Sequence, residues 1–197
     1  MKLLLHACCG PCLIEPLDGL RSAHDVTVYF ANPNIQPLDE FERRRSTLRG
    51  YAAGADAPVL EAPHEPERWL STAGAGLAKS ERCRACYRLR LDMTAHAAAE
   101  LGFEAIATTL TVSPYQDPEA IRAAGESAAA GAGVEYVHRD FRGSYPDSVR
   151  RARELGLYRQ NYCGCLPSRA ESDAERTARR DERRAEREAR ERGKATS

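Results

Sequence analysis

Lys2-Leu3-Leu4-Leu5-His6-Ala7-Cys8-Cys9-Gly10-Pro11-Cys12 is the stretch whose reading decides the fold: a short apolar run passes directly into a glycine, a proline and three cysteines. A continuous apolar run bounded by turn residues reads as a strand buried on both faces. Pro11 suits the first turn of a helix, where its missing N–H leaves no bond unmade. The unit is therefore strand, tight loop, helix, with the helix ending near residue 23. The same unit recurs along the chain. Strands are expected over residues 25–31, 58–61, 104–109 and 134–138. Helices are expected over about 38–53, around Trp69, and over about 81–101, 118–130 and 147–155. Alternation of this kind implies a mainly parallel sheet of about five strands, right-handed crossovers and helices on both faces: an α/β domain.

The chain of 197 residues suits one medium domain, long enough to bury a core without disulfides. No apolar stretch approaches the ~20 residues of a membrane span, and Leu3 to Leu5 is too short for a signal peptide. A cytosolic protein with no membrane segment is expected. Seven cysteines fall in three clusters, Cys8-Cys9-Gly10-Pro11-Cys12, Cys83-Arg84-Ala85-Cys86 and Cys163-Gly164-Cys165, with none left alone. In a reducing compartment such clustering points to metal binding or redox chemistry rather than to a structural disulfide framework.

Twenty-nine basic residues balance 29 acidic ones, so no overall basic excess advertises a nucleic-acid partner. Any RNA contact would use local patches, of which Arg43-Arg44-Arg45 with Arg49, and Arg150-Arg151 with Arg153 and Arg159, are candidates. Each patch read alone fits a solvated helix face better. From Arg169 the composition changes to Arg, Glu and Ala with no aromatic residue, which sets residues 1–168 apart as the body and 169–197 as a charged, exposed, partly frayed helical tail. The tail holds ten basic and eight acidic residues and favourable i,i+4 pairs such as Glu186/Arg190.

Ligands of open α/β sheets bind beyond the carboxyl ends of the strands. The Cys8–Cys12 loop, Asn32-Pro33-Asn34 and Thr108 to Tyr115 all fall at that edge. Cys83 and Cys86, at i and i+3, share one helix face, and a helix N-terminus at the same edge would favour their thiolates. Cys9-Gly10-Pro11-Cys12 also suggests a thioredoxin-like dithiol, but that chemistry leaves the other cysteines idle. A structural zinc site needs four ligands, fewer than are present; an iron–sulfur cluster uses up to four thiolates and leaves two or three for a second metal or a redox pair. Cys163 and Cys165 could form a strained, easily reduced disulfide or bind one iron.

Five motifs then resemble one family, the cobalamin-independent epoxyqueuosine reductases of the QueH type. They are Leu-His-Ala-Cys-Cys-Gly-Pro-Cys (5–12), Asn-Pro-Asn-Ile-Gln-Pro (32–37), Cys-Arg-Ala-Cys-Tyr-Arg-Leu-Arg-Leu (83–91), Thr-Thr-Leu-Thr-Val-Ser-Pro-Tyr (108–115) and Leu-Tyr-Arg-Gln-Asn-Tyr-Cys-Gly-Cys (157–165). The resemblance spans the body and excludes the tail. It implies a HUP-like, Rossmann-like domain that reduces epoxyqueuosine to queuosine at the wobble position of tRNA, without cobalamin. It further implies a [4Fe–4S] cluster on Cys8, Cys9, Cys83 and Cys86, with Cys12 a further or substitute ligand. Cys163 and Cys165 fall on a pair that is redox-active or binds an adjacent mononuclear iron. An electron donor such as a ferredoxin or flavodoxin is expected.

Removal of an epoxide oxygen as water also calls for a proton donor, for which Tyr115, Tyr162, Asp117 and His6 are candidates. Asn32, Asn34, Tyr158, Arg159 and Gln160 are candidates for holding the anticodon, with Tyr115, Tyr158 and Tyr162 as stacking platforms. The plainer readings are a strand-end His6 bonded to backbone and tyrosines packed with satisfied hydroxyls. A non-enzymatic zinc- or cluster-bearing RNA-binding module is the alternative from another class.

Overall fold

The computed structural model describes residues 1–74 and 76–195. Five strands, β1 (Lys2–His6), β2 (Asp25–Phe30), β3 (Val59–Glu61), β4 (Ala105–Thr108) and β5 (Glu135–Tyr136), form one sheet in the order β3-β2-β1-β4-β5. Every neighbouring pair is parallel. Seven helices are described: α1 (Gly10–Arg21), α2 (Leu38–Gly54), α3 (Pro66–Ala73), α4 (Lys79–Glu100), α5 (Pro118–Ala132), α6 (Tyr145–Glu154) and α7 (Leu166–Ala195). The expected α/β architecture is thus present.

β1 takes the central place because its residues are apolar on both sides of the pleat. Leu3, Leu4 and Leu5 have no exposed surface, and each contributes about 1.5–3 kcal/mol by burial. Leu3 and Leu5 join one core with Leu13 and Leu17 of α1, Val28 of β2 and Phe41 and Leu48 of α2. Leu4 points to the opposite face, where α4 packs on β1 and β4.

Several boundaries differ from expectation for local reasons. β4 stops at Thr108 because the Thr108 hydroxyl accepts from the Leu110 N–H at 3.1 Å and opens a 3-10 turn over Thr109–Val112. β5 keeps only two residues of the expected five, since it pairs with a single neighbour at the sheet edge. α4 begins at Lys79, two residues early, so Cys83 and Cys86 stand beyond its first turn. The helix macrodipole fades within that turn, so it gives these thiols less support than the sequence suggested.

By its contacts the chain divides into Met1–Arg159 and Gln160–Ser197. The change of composition at Arg169 falls inside α7, a continuous helix over its described length, with ion pairs such as Arg184–Glu188 (2.9 Å). No helix among the described residues is long and apolar enough to cross a membrane.

The α5–β5 contact yields two tests. A Cβ at Gly125 of α5 would overlap the ring of Tyr136. Gly125→Ala is expected to destabilise the domain by about 1–3 kcal/mol in denaturant titrations, and Tyr136→Leu on top of it to recover much of the loss. Burial, aided by the Glu126 charge, pushes the Tyr136 phenol up to about 12. The folded state therefore holds this proton more tightly, a contribution that is complete below about pH 10 and lost as pH rises through about 12. Tyr136→Phe should flatten the fall in stability between those two pH values.

Candidate metal–thiolate site

From β1 the chain steps to β2 and β3 on one side, then returns to β4 and β5 on the other. The carboxyl end of β1 is therefore the topological switch point, the place where open α/β sheets bind ligands. Residues 7–12 occupy it. Cys9 is the N-cap of α1, its Sγ accepting from the Cys12 N–H at 3.3 Å, and Pro11 sits in the first turn as expected. Gly10 lets α1 approach α2: a Cβ there would press on the Thr47 side chain and backbone at 3.0–3.3 Å.

The three sulfurs of this loop converge. Cys9 and Cys12 Sγ lie 2.7 Å apart, Cys8 and Cys9 Sγ 4.0 Å apart, and all three fall within 4.8 Å of one another. The thiols of Cys12 and Cys9 hold the Cys8 thiol well below its usual range against the effect of burial, with the Arg90 charge adding to them. Burial pushes Cys9 up, and contact with Cys8 and then Cys9 pushes Cys12 up. The group thus favours one thiolate steadied by two neighbouring S–H groups. Metal–sulfur bonds of ~2.3 Å let thiolates this close share one ion, and a soft all-sulfur set is what zinc, Cu(I) and iron–sulfur clusters select. The donors present fit a metal ion or a cluster.

The surroundings are buried and polar. His6 Nδ1 lies 2.9 Å from Thr108 Oγ1 across the β1–β4 pairing. Burial, with Arg90 adding to it, lowers His6 to about 3, so its imidazole is neutral at pH 7 and suits a strut better than an acid. The Asn32 amide donates to the Ala7 carbonyl at 2.8 Å. Arg90 of α4 donates through Nη1 to Asn32 Oδ1 (3.3 Å) and Asn34 Oδ1 (3.2 Å). Both asparagines, expected as substrate ligands, are buried and turn their oxygens to this guanidinium; Asn34 Nδ2 has no partner among the described residues.

Arg82, Cys86, Arg90 and Thr94, at four-residue spacing, form a buried polar row along α4. Cys86 is buried and Cys83 half-buried. The same helix end meets the loop after β4: the Tyr87 hydroxyl donates to Gln116 Oε1 at 2.6 Å, and Arg84 lies 3.8 Å from Asp117. The Cys83–Cys86 turn therefore stands at the carboxyl edge, as the sequence predicts. Asp117 accepts from the Ala120 N–H at 3.1 Å as the N-cap of α5. Tyr115 is 83% exposed, its ring set edge-on to Tyr145 at 6.2 Å.

The two arginine patches are largely neutralised within the fold. Arg44 is buried against Glu40 at 2.7 Å; Arg151 pairs with Glu15 and Asp18, and Arg150 with Asp147 and Glu154. Tyr158 donates its hydroxyl to Glu40 Oε2 at 2.7 Å, and Arg43 lies over its ring at 4.9 Å. Arg159 is exposed. Within Gln160–Ser197, Gln160, Tyr162 and Cys163 are half-buried and Cys165 is buried. Gly164 has φ 144°, a conformation that favours glycine, and the Ser168 hydroxyl donates to the Cys165 carbonyl at 2.8 Å. The described cysteines form no disulfide. Glu40 escaped the sequence reading, Arg44 entered it only as a member of a charge run, and Arg90 only inside the 83–91 motif. No local signal marked Arg90, since charged and apolar residues simply alternate over Arg88-Leu89-Arg90-Leu91-Asp92.

Fold and site together define a doubly wound α/β protein with a cysteine centre, suited to a metal ion or cluster, at its switch point. The profile of the family described as "Epoxyqueuosine reductase QueH" matches residues 3–171. The relative so described from Streptococcus pyogenes serotype M1 is 36% identical over 177 residues, covering 84% of this chain and 69% of its own. That from Thermotoga maritima is 36% identical over 180 residues, covering 86% and 91%. The chain belongs to the epoxyqueuosine reductase QueH family. A solved structure described as a predicted subunit of a tRNA methyltransferase from Methanocaldococcus jannaschii aligns with a TM-score of 0.50 at 9% identity, over 77% of this chain and 76% of that one. At that identity the likeness concerns the fold alone.

The Glu40–Arg44 pair beside the loop gives a direct test. Glu40→Gln weakens the charge compensation of a buried guanidinium and is expected to cost about 3 kcal/mol in denaturant unfolding, while Tyr158→Phe costs about 1.5 kcal/mol.

Proposed function

We infer that the protein reduces epoxyqueuosine to queuosine at the wobble position of tRNA, the last step of queuosine synthesis. The observation that carries this reading is the family match across residues 3–171 together with a convergent thiol group at the switch point. The reaction removes the epoxide oxygen as water, consuming two electrons and two protons and leaving a carbon–carbon double bond. The electrons come from a donor of the ferredoxin or flavodoxin class. Family membership displaces both the thioredoxin-like reading and the non-enzymatic binding module.

Cys8, Cys9, Cys83 and Cys86 are assigned to a [4Fe–4S] cluster, with Cys12 as a further or substitute ligand. The bound centre would supply single electrons and a Lewis-acidic site for the epoxide oxygen. Cys163 and Cys165 are assigned to a redox pair or to an adjacent iron, with Gly164 permitting the turn between them. Tyr115 is assigned to stack on an extruded base or to donate a proton, a reading its exposure supports. Asp117, engaged with Arg84 and the start of α5, holds the Tyr115 loop against α4. Arg159, Gln160 and Tyr162 are assigned to the anticodon, as are Asn32, Asn34 and Tyr158, whose polar groups are also engaged within the fold. No catalytic step is placed on the tail over 169–197.

The test is mass spectrometry of nucleosides from epoxyqueuosine-containing tRNA incubated anaerobically with protein and a low-potential reductant. Queuosine is expected; its absence from protein loaded with iron and sulfide would defeat the reading. Cys83→Ala or Cys86→Ala should lose most cluster absorbance. Cys163→Ala should keep absorbance and lose turnover at least a hundredfold, and a fully active Cys83→Ala protein would refute the ligand assignment.

A further inference from the structure

We propose that Arg90 is a buried counter-charge of the cysteine centre and that Asn32 and Asn34 aim it, so that this guanidinium raises the centre's reduction potential. The inference rests on the reading of the cysteines as ligands of a redox centre. Arg90 has no exposed surface, although it carries a charge in the middle of a helix. A buried guanidinium is tolerated where anionic and polar groups compensate it. Two links connect it with the cysteine-bearing elements. Through Asn32 it is linked to the carbonyl of Ala7, the residue immediately before Cys8. Along α4 it follows Cys86 by one turn in the row of Arg82, Cys86, Arg90 and Thr94.

The guanidinium is thus tied through Asn32 to the residue before Cys8 and lies one helical turn after Cys86. A fixed positive charge in a water-poor setting favours the state with the extra electron. Arg90 is accordingly a positioning residue that acts through the centre and touches no substrate.

Asn34 offers the cleanest probe. Its Oδ1 accepts from Arg90, and its Nδ2 has no partner among the described residues. Asn34→Asp therefore keeps the acceptor and the side-chain shape while adding one negative charge beside the guanidinium. The experiment compares full-length wild type, Asn34→Asp, Arg90→Gln and Arg90→Lys. Each is reconstituted anaerobically with iron and sulfide, assayed for both, and titrated with reductant while absorbance is followed.

Asn34→Asp and Arg90→Gln are expected to load as wild type and to shift the reduction equilibrium at least tenfold toward the oxidised form, about 59 mV for one electron. Arg90→Lys is expected to stay within threefold of wild type. Loaded Asn34→Asp and Arg90→Gln proteins that titrate like wild type would overturn the proposal, as would Arg90→Lys shifting as far as Arg90→Gln. Failure of both Arg90→Gln and Asn34→Asp to fold or load would make Arg90 a structural strut and overturn it too. A wild type that takes up neither iron nor sulfide would instead defeat the functional reading, and this inference with it.

Discussion

A parallel sheet covered on both faces leaves only the ends of its strands for chemistry, and this constraint governs the whole arrangement. β1 is the strand most affected, since its three leucines are wholly buried and both its edges are paired. Whatever the chain does with β1 must happen where it stops. There the backbone turns through Ala7 to Gly10, enters α1 under a cysteine cap, and crowds three thiols into one place. The apolar strand is thus the condition for the polar site, because it holds the loop at a fixed height above the sheet.

Burial of charge is the second organising feature. Arg44 and Arg90 come from different helices, and neither side chain reaches solvent. Arg44 is matched by a carboxylate on its own helix, an i,i+4 pair held further by Tyr158. Arg90 is held by side-chain carbonyls from the loop after β2, more than fifty residues away in sequence. The first arrangement fixes α2 and the 157–159 segment; the second ties that loop, β1 and α4 together. A pair closed within one helix is mainly structural, whereas a cation aimed by neutral amides keeps more of its field for whatever lies beyond them.

How much of this was legible in the sequence follows from the same distinction. β1, its loop and the start of α1 were readable because the apolar run, Pro11 and the cysteines are contiguous. The parallel sheet followed from alternation alone. Arg43-Arg44-Arg45 misled because a charge run carries no mark of which member turns inward; Phe41 and Leu48, on the buried side of α2, were the only hint for Arg44. The 3-10 turn after β4 depended on one Thr108 hydroxyl contact, which competes locally with continued strand. The early start of α4 was hidden because no capping side chain marks it.

The dispersion of the cysteines has its own logic. Cys8, Cys9 and Cys12 sit on the β1–α1 turn and Cys83 and Cys86 on α4, and both α1 and α4 flank the core built on the central strand. Ligands confined to one loop would let a centre form on a partly unfolded chain. If the cysteines of both elements hold one centre, as proposed, loading would depend on folding, and folding would gain from loading by mass action. The same arrangement crowds thiols and a guanidinium into a buried setting. The neutral His6 and the amide-held Arg90 show how the fold limits unmatched charge there.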